Sequence, residues 1–297
     1  MGNQPAPPDG RRGLLACSWP LVFVPLVACE PEGEPGECAL DAAPQLVVVR
    51  TLRFALADED GVSLGFDLDG ETSVENGTSG CGIADYTSPE GTPGIDNAFT
   101  RLTPALESTE AKVSAIEGLV QAAITSGELL IVVELGGVDD WNDDSCVAGA
   151  VGQAAGTPML GTDGLILDGQ TFDRDDDVDR VALADGSIVD GAYEAGGLSV
   201  DLPVQILNAS LSLPLRDGRM HVERTSLDRF EGYLSGKVSA AYMMEISQTE
   251  NIDPAVSDLL GVVLLANADF ADEEGTACGA VSVTLQFEAV GAYYYED

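Results

Sequence analysis

The sequence predicts a mainly β fold with two helices, in the form of an antiparallel β-sandwich or a jelly-roll-like domain. Apolar and polar residues alternate over 198–206, 211–215, 234–246 and 281–289, as expected for strands with one buried and one polar face. Glycine- and aspartate-rich turns separate these segments, and only two segments have helical spacing. Repeated strands joined by such turns are typical of sandwiches and jelly rolls.

Two strands are predicted in the N-terminal half from apolar and β-branched residues. The first covers 46–56, which is rich in valine and leucine. The second covers 129–135, a nearly all-apolar segment between Gly127 and Gly136, and its composition indicates burial on both faces. Further along the chain, a change in the parity of the alternation predicts a turn or bulge at 207–210.

The two helices are predicted from capping residues that precede apolar stripes. Thr103 and Pro104 begin the first helix, whose stripe ends before Gly127. Asp253 and Pro254 begin the second helix. Its apolar face consists of Val256, Leu259, Leu260, Val263 and Leu264. We interpret both stripes as surfaces that pack against the core.

The composition favours a folded acidic protein and argues against nucleic acid as a partner. The 297 residues include 51 acidic and 13 basic side chains, which gives a formal net charge of −38. Hydrophobic residues make up 45%, too many for a disordered acidic tail. Phosphate binding needs clustered basic residues, and the chain has only two lysines, Lys112 and Lys237. The same charge argues against electrostatic docking on anionic lipid.

The N-terminal segment has the organisation of an export signal. Arg11 and Arg12 precede an apolar run over 13–28, which is too short to span a membrane and contains two prolines. The run ends in Leu-Val-Ala and Cys29, which resembles the lipobox of bacterial lipoproteins, where diacylglycerol is attached to the cysteine thiol. We therefore predict lipidation of Cys29, with an ordinary cleaved signal or an uncleaved anchor as the alternatives.

This signal defines the predicted domain organisation and location. Residues 1–28 form the lipoprotein signal peptide, and 29–44 form a tether rich in proline, glycine and glutamate. Residues 45–297 form a single β-rich domain. The predicted location is outside the cytosol, at the outer membrane or cell surface, where the protein contacts the membrane through the lipid on Cys29.

Four cysteines remain after the signal and the lipidated residue are set aside. They are Cys38, Cys81, Cys146 and Cys278. An even number in an exported chain indicates two disulfides, for which three pairings exist. We expect one bond among the last three, and a bond from Cys38 that fixes the tether to the domain. Zinc is the alternative, but the spacing includes no CxxC and no neighbouring histidine.

Three acidic loops are the candidate calcium sites. Calcium takes six to eight oxygen ligands, which short Asp and Asn side chains on turning backbone can supply. The candidate ligands are Asp67, Asp69, Asp85, Asp96 and Asn97 in the first loop, Asp139, Asp143 and Asp144 in the second, and Asp173, Asp175 and Asp177 in the third. The third loop is similar to a DxDxDG calcium loop but lacks the glycine and the distal glutamate.

Solvated acid is the alternative interpretation of these loops, because exported proteins carry acidic residues for solubility. Repulsion distinguishes the two interpretations. Carboxylates within about 5 Å of one another raise one another's pKa unless a cation lies among them. Tightly folded loops therefore require a cation, whereas splayed loops require none.

Catalytic motifs are scarce, and we predict that the protein is not an enzyme. His221 is the only histidine, and alternation places it on one strand face with Arg219 and Glu223. No GxxxxGK[ST] or HExxH motif accompanies it. A surface histidine on a strand is the simpler interpretation.

Two other functions remain open at this stage. A secreted hydrolase would use two carboxylates among Asp139, Asp143 and Asp144, with Trp141 stacked on a sugar. A carrier of apolar ligands would hold them between curved sheets built from 198–246. The sequence identifies no particular protein or glycan partner.

Five segments have distinctive sequences. They read LVVVRTLRFAL (46–56), GFDLDG (65–70), CGIADYTSPEGTPGIDNAF (81–99), GELLIVVELGGVDDWNDDSCV (127–147) and CGAVSVTLQFEAV (278–290). Together with the lipobox, they resemble a group of uncharacterised acidic secreted lipoproteins of the myxobacterial type over most of the chain. The resemblance implies a cell-envelope lipoprotein with no established activity, and it assigns no role to any residue. We expect a lipid-anchored protein with a binding or structural role, stabilised by calcium in its acidic loops.

Overall fold

The computed structural model of the protein describes residues 44–108, 112–175, 177–206, 209–249, 261–272, 275 and 277–295. The predicted signal peptide, Cys29, Cys38 and all of the predicted tether except residue 44 lie outside the described residues. Strands account for 46% of the residues and helices for 18%, which confirms the prediction of a mainly β fold.

Thirteen strands and four α-helical segments lie in the described ranges. The strands are β1 (Gln45–Phe54), β2 (Tyr86–Thr87), β3 (Pro93–Ile95), β4 (Leu130–Gly136), β5 (Ala148–Ala155), β6 (Gln170–Arg174), β7 (Val181–Ala182), β8 (Ala184–Val189), β9 (Ala192–Ile206), β10 (Ala209–Ser226), β11 (Arg229–Ser239), β12 (Phe270–Ala271) and β13 (Cys278–Tyr294). The helices are α1 (Thr103–Glu107), α2 (Val113–Ser126), α3 (Ala240–Thr249) and α4, which has residues 261–266 described.

Five of the strands close into a barrel, in the order β1, β4, β5, β6, β13 and back to β1. Closure requires β1 to pair along both edges, with β4 on one side and β13 on the other. A register shift between Val49 and Thr51 bends β1, as a bulge does in other barrels. The prediction of two packed sheets is therefore corrected, because alternation shows which face of a strand is buried but not which strands pair.

The sheet continues beyond the barrel from the edge of β13 that lies opposite β1. At the end of this edge, β6 pairs with Ala292, Tyr293 and Tyr294. That edge pairs with β11, and β10, β9 and β8 follow in order. Ile206 and Ala209 are paired between β9 and β10, and residues 207–208 of the predicted turn or bulge lie outside the described residues. The pairing is antiparallel between all named strands except β13 and β6. The outer edge of β8 is covered by backbone hydrogen bonds between Ile188 and Asp144.

The core follows the barrel and the long sheet. Every residue of β4 is buried, as its apolar composition predicts. α2 packs onto β1 through Val120 and Ile124, which lie on the predicted stripe of the first helix. A smaller cluster lies beneath the short helices and includes Leu102, Ala240 and Leu264. Leu264 belongs to the stripe predicted for the second helix, so the part of that stripe that is described does pack against the core.

Two predicted elements need correction. The first predicted helix is divided into α1 and α2, and α2 begins after Lys112. The strand predicted over 234–246 ends at Ser239, where α3 begins. Residues 240–245 are Ala-Ala-Tyr-Met-Met-Glu, and alanine, methionine and glutamate favour helix. Helix propensity therefore overrides the apparent alternation. The predicted start of the second helix at 253–254 lies outside the described residues.

A disulfide joins Cys81 to Cys278, and the Cα atoms of the two residues are 5.9 Å apart. It confirms the prediction of one bond among the three downstream cysteines. Cys146 is also disulfide-bonded. Because Cys81 and Cys278 form a disulfide, they are not available as zinc ligands.

We expect the replacement of both Cys81 and Cys278 by serine to lower the free energy of unfolding by about 2–5 kcal/mol. The physical reason is that this bond closes a loop with a sequence separation of 197 residues, which constrains the unfolded chain. Urea unfolding of the oxidised proteins measures the loss. Peptide mapping without reduction is the control, and a map that joins Cys81 to Cys146 would contradict the assignment.

Candidate metal centre

The first acidic loop lies between β1 and α1 and is fastened to β13 by buried polar side chains. Asn97, which is 1% exposed, donates from its amide to the carbonyl of Ala55 and to Ser63 Oγ. Its amide oxygen accepts from the backbone N–H of Thr284 at 3.3 Å. The N–H of Ala98 donates to Ser282 Oγ at 2.8 Å. Asn97, predicted as a metal ligand, is thus engaged in positioning the loop.

Three of the predicted ligands converge in this loop. One carboxylate oxygen from each of Asp67, Asp69 and Asp96 lies within 4.8 Å of the others. The backbone N–H of Leu68 donates to Asp96 Oδ2 at 2.6 Å, which brings the turn that carries the first two acids against the third. The N–H of Gly70 donates to Asp67 Oδ1 at 2.6 Å and tightens the same turn. The first loop is therefore folded tightly around its carboxylates.

Asp85, a fourth predicted ligand, lies against this group without belonging to it. Its carboxylate accepts from the backbone N–H of Ser73 at 2.5 Å and is close enough to Asp67 and Asp69 to be repelled by them. The turn at Gly80–Gly82 contains Cys81, whose disulfide to β13 holds this side of the loop. A Cβ added at Gly80 would lie 2.4 Å from Ser73 Oγ, so glycine is needed where the turn meets Ser73.

Burial and repulsion raise the pKa of several acids here. Asp96 is 2% exposed, and burial, followed by repulsion from Asp269, Asp85 and Asp69, raises its pKa to about 8. Burial is also the main reason that the pKa of Asp85 is raised. Burial raises the pKa of Asp269 to about 6, although Ser282 donates to it from its backbone and its hydroxyl. Concentrated negative charge in this loop is unfavourable without a cation.

Further oxygen atoms lie beside Asp67 at Gly94. A Cβ built on Gly94 would be 3.3 Å from Asp67 Oδ2, 3.3 Å from Thr72 Oγ1 and 3.2 Å from the carbonyl oxygen of Glu71. Gly94 also has a φ of +95°, which side chains rarely adopt. Glycine is therefore required for this segment to approach the carboxylates, and it leaves carbonyl and hydroxyl oxygens close to them.

The second and third acidic loops do not converge in this way. Among the described residues, Asp67, Asp69 and Asp96 form the one group of three acidic, histidine or cysteine residues whose ligand atoms come together. In the described residues of the other two loops, the side-chain ligand atoms therefore do not converge, and calcium binding there stays a prediction. Their members are Asp139, Asp143 and Asp144 in the second loop, and Asp173, Asp175 and Asp177 in the third.

Local hydrogen bonds explain why these loops are splayed. Asp144 accepts from the backbone N–H groups of Asp139 and Cys146, which lowers its pKa. Asp175 accepts from the N–H of Asp177, so its carboxylate turns towards its own backbone. Asp139 and Asp143 are exposed.

Trp141 does not offer a free platform for a sugar. Its ring packs against Phe230, with centroids 5.7 Å apart, and the guanidinium of Arg224 lies 5.4 Å from the Trp141 ring centroid. The second loop therefore presents solvent-facing acids around a packed aromatic side chain. The hydrolase alternative obtains no aromatic subsite from this loop.

His221 is held between two carboxylates. Its Nδ1 lies 3.1 Å from Glu194 Oε1 and its Nε2 lies 3.1 Å from Glu223 Oε1. The ring stacks on Tyr233 with centroids 4.7 Å apart, and Arg219 forms an ion pair with Glu194. Burial alone would lower the pKa of His221, but hydrogen bonds and charge from the two glutamates outweigh burial and raise it. Both ring nitrogens are engaged, so neither is available as a general base.

Comparison with known proteins adds no functional information. No protein-family model, curated protein or solved structure matches this chain. In the described ranges, no helix has both the length and the apolar character needed to cross a bilayer. The function is therefore inferred from the geometry of the chain itself.

We expect the substitution His221→Gln to cost about 1 kcal/mol of stability at pH 6 and less at pH 9. Because the folded-state pKa of His221 is raised, its charged contacts stabilise the protein fully below the unfolded pKa of about 6.5 and are lost as the pH rises through the folded value. Urea unfolding at the two pH values tests this. Glutamine keeps the size and polarity of the side chain, and an equal loss at both pH values would refute the charge argument.

Proposed function

We propose that the protein is an exported, lipid-anchored protein of the cell envelope with a binding or structural role, and that Ca²⁺ bound by Asp67, Asp69 and Asp96 stabilises it. The observation that carries the calcium proposal is the convergence of these three carboxylates, one of them buried, from two separate segments of one loop. Among the described residues of the three acidic loops, the carboxylates of this loop alone converge tightly enough to call for a cation.

The ligand chemistry favours Ca²⁺ over other metal ions. All three side chains offer carboxylate oxygens, and carbonyl and hydroxyl oxygens from Glu71 and Thr72 lie beside Asp67. Hard oxygen ligands suit Ca²⁺ and Mg²⁺, whereas Zn²⁺ usually takes histidine or cysteine. Flexible loop ligands from distant positions suit Ca²⁺ better, because Mg²⁺ demands a near-ideal octahedron and retains water.

A cation at this position would stabilise the attachment of the loop to the sheet. Asp67 and Asp69 belong to one turn, whereas Asp96 immediately precedes Asn97, which bonds to β13. Binding at these three carboxylates joins the turn to the segment that is fastened to the strand. It also neutralises acids whose mutual repulsion opposes folding. The proposed role of the ion is therefore structural.

The lipid anchor is supported by the sequence and by the disulfides. The basic residues, the apolar run and the lipobox precede Cys29 at the spacing of a lipoprotein signal. Cys81, Cys146 and Cys278 are disulfide-bonded, and disulfides persist in oxidising compartments outside the cytosol. The acidic surface would keep the domain away from anionic lipid, so attachment would depend on the lipid on Cys29.

We expect millimolar Ca²⁺ to raise the melting temperature of the EDTA-treated protein, relative to a control of equal ionic strength. Binding at about 100 times the dissociation constant contributes about 2.7 kcal/mol, because only the folded state assembles the three carboxylates. Differential scanning fluorimetry measures the shift.

Asp69→Asn should abolish most of this shift, because Asp69 is exposed and its replacement removes a ligand charge without disturbing the core. Asp139→Asn is the matched control and should retain it, since Asp139 is an exposed acid outside the group. The absence of a shift in the unsubstituted protein would reject the calcium site, and so would an equal shift in Asp69→Asn.

We expect mass spectrometry of the protein purified from bacterial membranes to find Cys29 at the N-terminus with diacylglycerol attached. The Cys29→Ser variant should lose the lipid and move to the soluble fraction, because serine lacks the thiol that accepts it. Cys17→Ser is the control and should remain lipidated. An unmodified Cys29 in the membrane-derived protein would reject the anchor.

A further inference from the structure

A cleft of about 300 Å³ opens on the sheet, and none of the three carboxylates of the metal centre is among its lining residues. Strands β1, β13, β11 and β10 form its floor, and Leu64 of the preceding loop lies at its margin. Its volume falls at the lower end of the range for small-molecule sites. The lining is mostly charged or hydrogen-bonding, so an apolar ligand does not suit it.

The pairing register sorts the charges of this cleft into two neighbouring rows. One row crosses the four strands as Arg53, Gln286, Tyr233 and His221. The next row, two residues further along each strand, consists of Thr51, Glu288, Glu231 and Glu223. The first row carries the basic side chains, and the second carries three acids. The cleft is therefore dipolar.

Part of each row is already fixed by contacts within the protein. His221 holds Glu223 at 3.1 Å, and Arg50 holds Glu288 at 2.8 Å. Within the described part of the chain, the side chains of Arg53, Glu231 and Gln286 have neither a hydrogen-bond nor an ion-pair partner. One cation, one anion and one amide thus border the cleft with their bonding capacity unused. Glu231 lies directly opposite Glu223 and Glu288 and, unlike these two, has no cationic partner within the described residues.

We propose that this cleft binds a small zwitterion of dipeptide length, with its ammonium group at Glu231 and its carboxylate at Arg53 and Gln286. Arg53 and Glu231 are two strands and two residues apart, so their Cα atoms are separated by roughly 12 Å. An extended dipeptide is about 7 Å long, and an ion pair of about 2.8 Å at each end allows it to bridge this distance. A single amino acid is shorter by about one residue, so it reaches both charges only if the two side chains lean towards each other.

Isothermal titration calorimetry with L-alanyl-L-alanine tests the proposal on the full domain. We expect saturable binding that weakens at least tenfold when the peptide is N-acetylated, and at least tenfold when its carboxylate is amidated. Free alanine should also bind at least tenfold more weakly. No saturable binding up to about 10 mM dipeptide would overturn the proposal, and so would equal binding of the doubly blocked peptide.

Substitutions assign each end of the ligand. In Glu231→Gln, the acetylated and free dipeptides should bind equally, and in Arg53→Gln the amidated and free dipeptides should bind equally. Glu59→Gln and Arg229→Gln are the matched controls, because both residues are exposed and lie outside the lining. Circular dichroism checks that each variant is folded. Discrimination that persists in both cleft variants would overturn the assignment and leave the two rows as a surface ladder of ion pairs.

Discussion

The structure depends on the hydrogen bonding of both edges of β13. One edge pairs with β11 over the whole length of that strand, and the other pairs with β1 from Leu285 to Ala292. Between Val281 and Thr284, no strand of the described residues pairs with this second edge. The N–H groups of Ser282 and Thr284 bond instead to the side chains of Asp269 and Asn97. A buried N–H without a partner costs about 1–3 kcal/mol, so these two side chains replace a missing strand.

This replacement explains why the metal centre lies where it does. Asn97 has to be buried against β13, and Asp96 is buried with it because the two are adjacent in the chain. The turn containing Asp67 and Asp69 then packs over Asp96. Phe66, next to that turn, contacts the ring of Tyr233 and lies under the guanidinium of Arg219. The loop therefore also supports one wall of the dipolar cleft.

Local patterns predicted the strands better than they predicted their arrangement. Alternation located β9, β10 and β13 because each has one face against the core and one against polar surroundings. Closure of the barrel depends on β1 meeting β13, which are at opposite ends of the sequence, and no local pattern encodes that contact. The strand predicted over the residues of α3 was wrong for a different reason. Their alternation is short, and their helix propensity outweighs it.

The acidic loops show a similar limit. All eleven candidate ligands looked alike in sequence, since each was an Asp or Asn in a turn-rich segment. Asp96 has one distinguishing signal, since the Asp-Asn pair in Gly-Ile-Asp-Asn-Ala-Phe is flanked by apolar residues. An acid in such a segment is more prone to burial than one in Asn-Asp-Asp-Ser. Asp67 and Asp69 are in turn brought to it by the hydrogen bond from Leu68, which is a tertiary contact.

The central position of β13 affects how the chain folds during synthesis. It is the last described strand to leave the ribosome, yet it lies between β1, the first, and β11. Until it arrives, both neighbours have unpaired edges, and such edges are templates for aggregation. The nascent polypeptide therefore cannot complete its native topology until β13 has been synthesised.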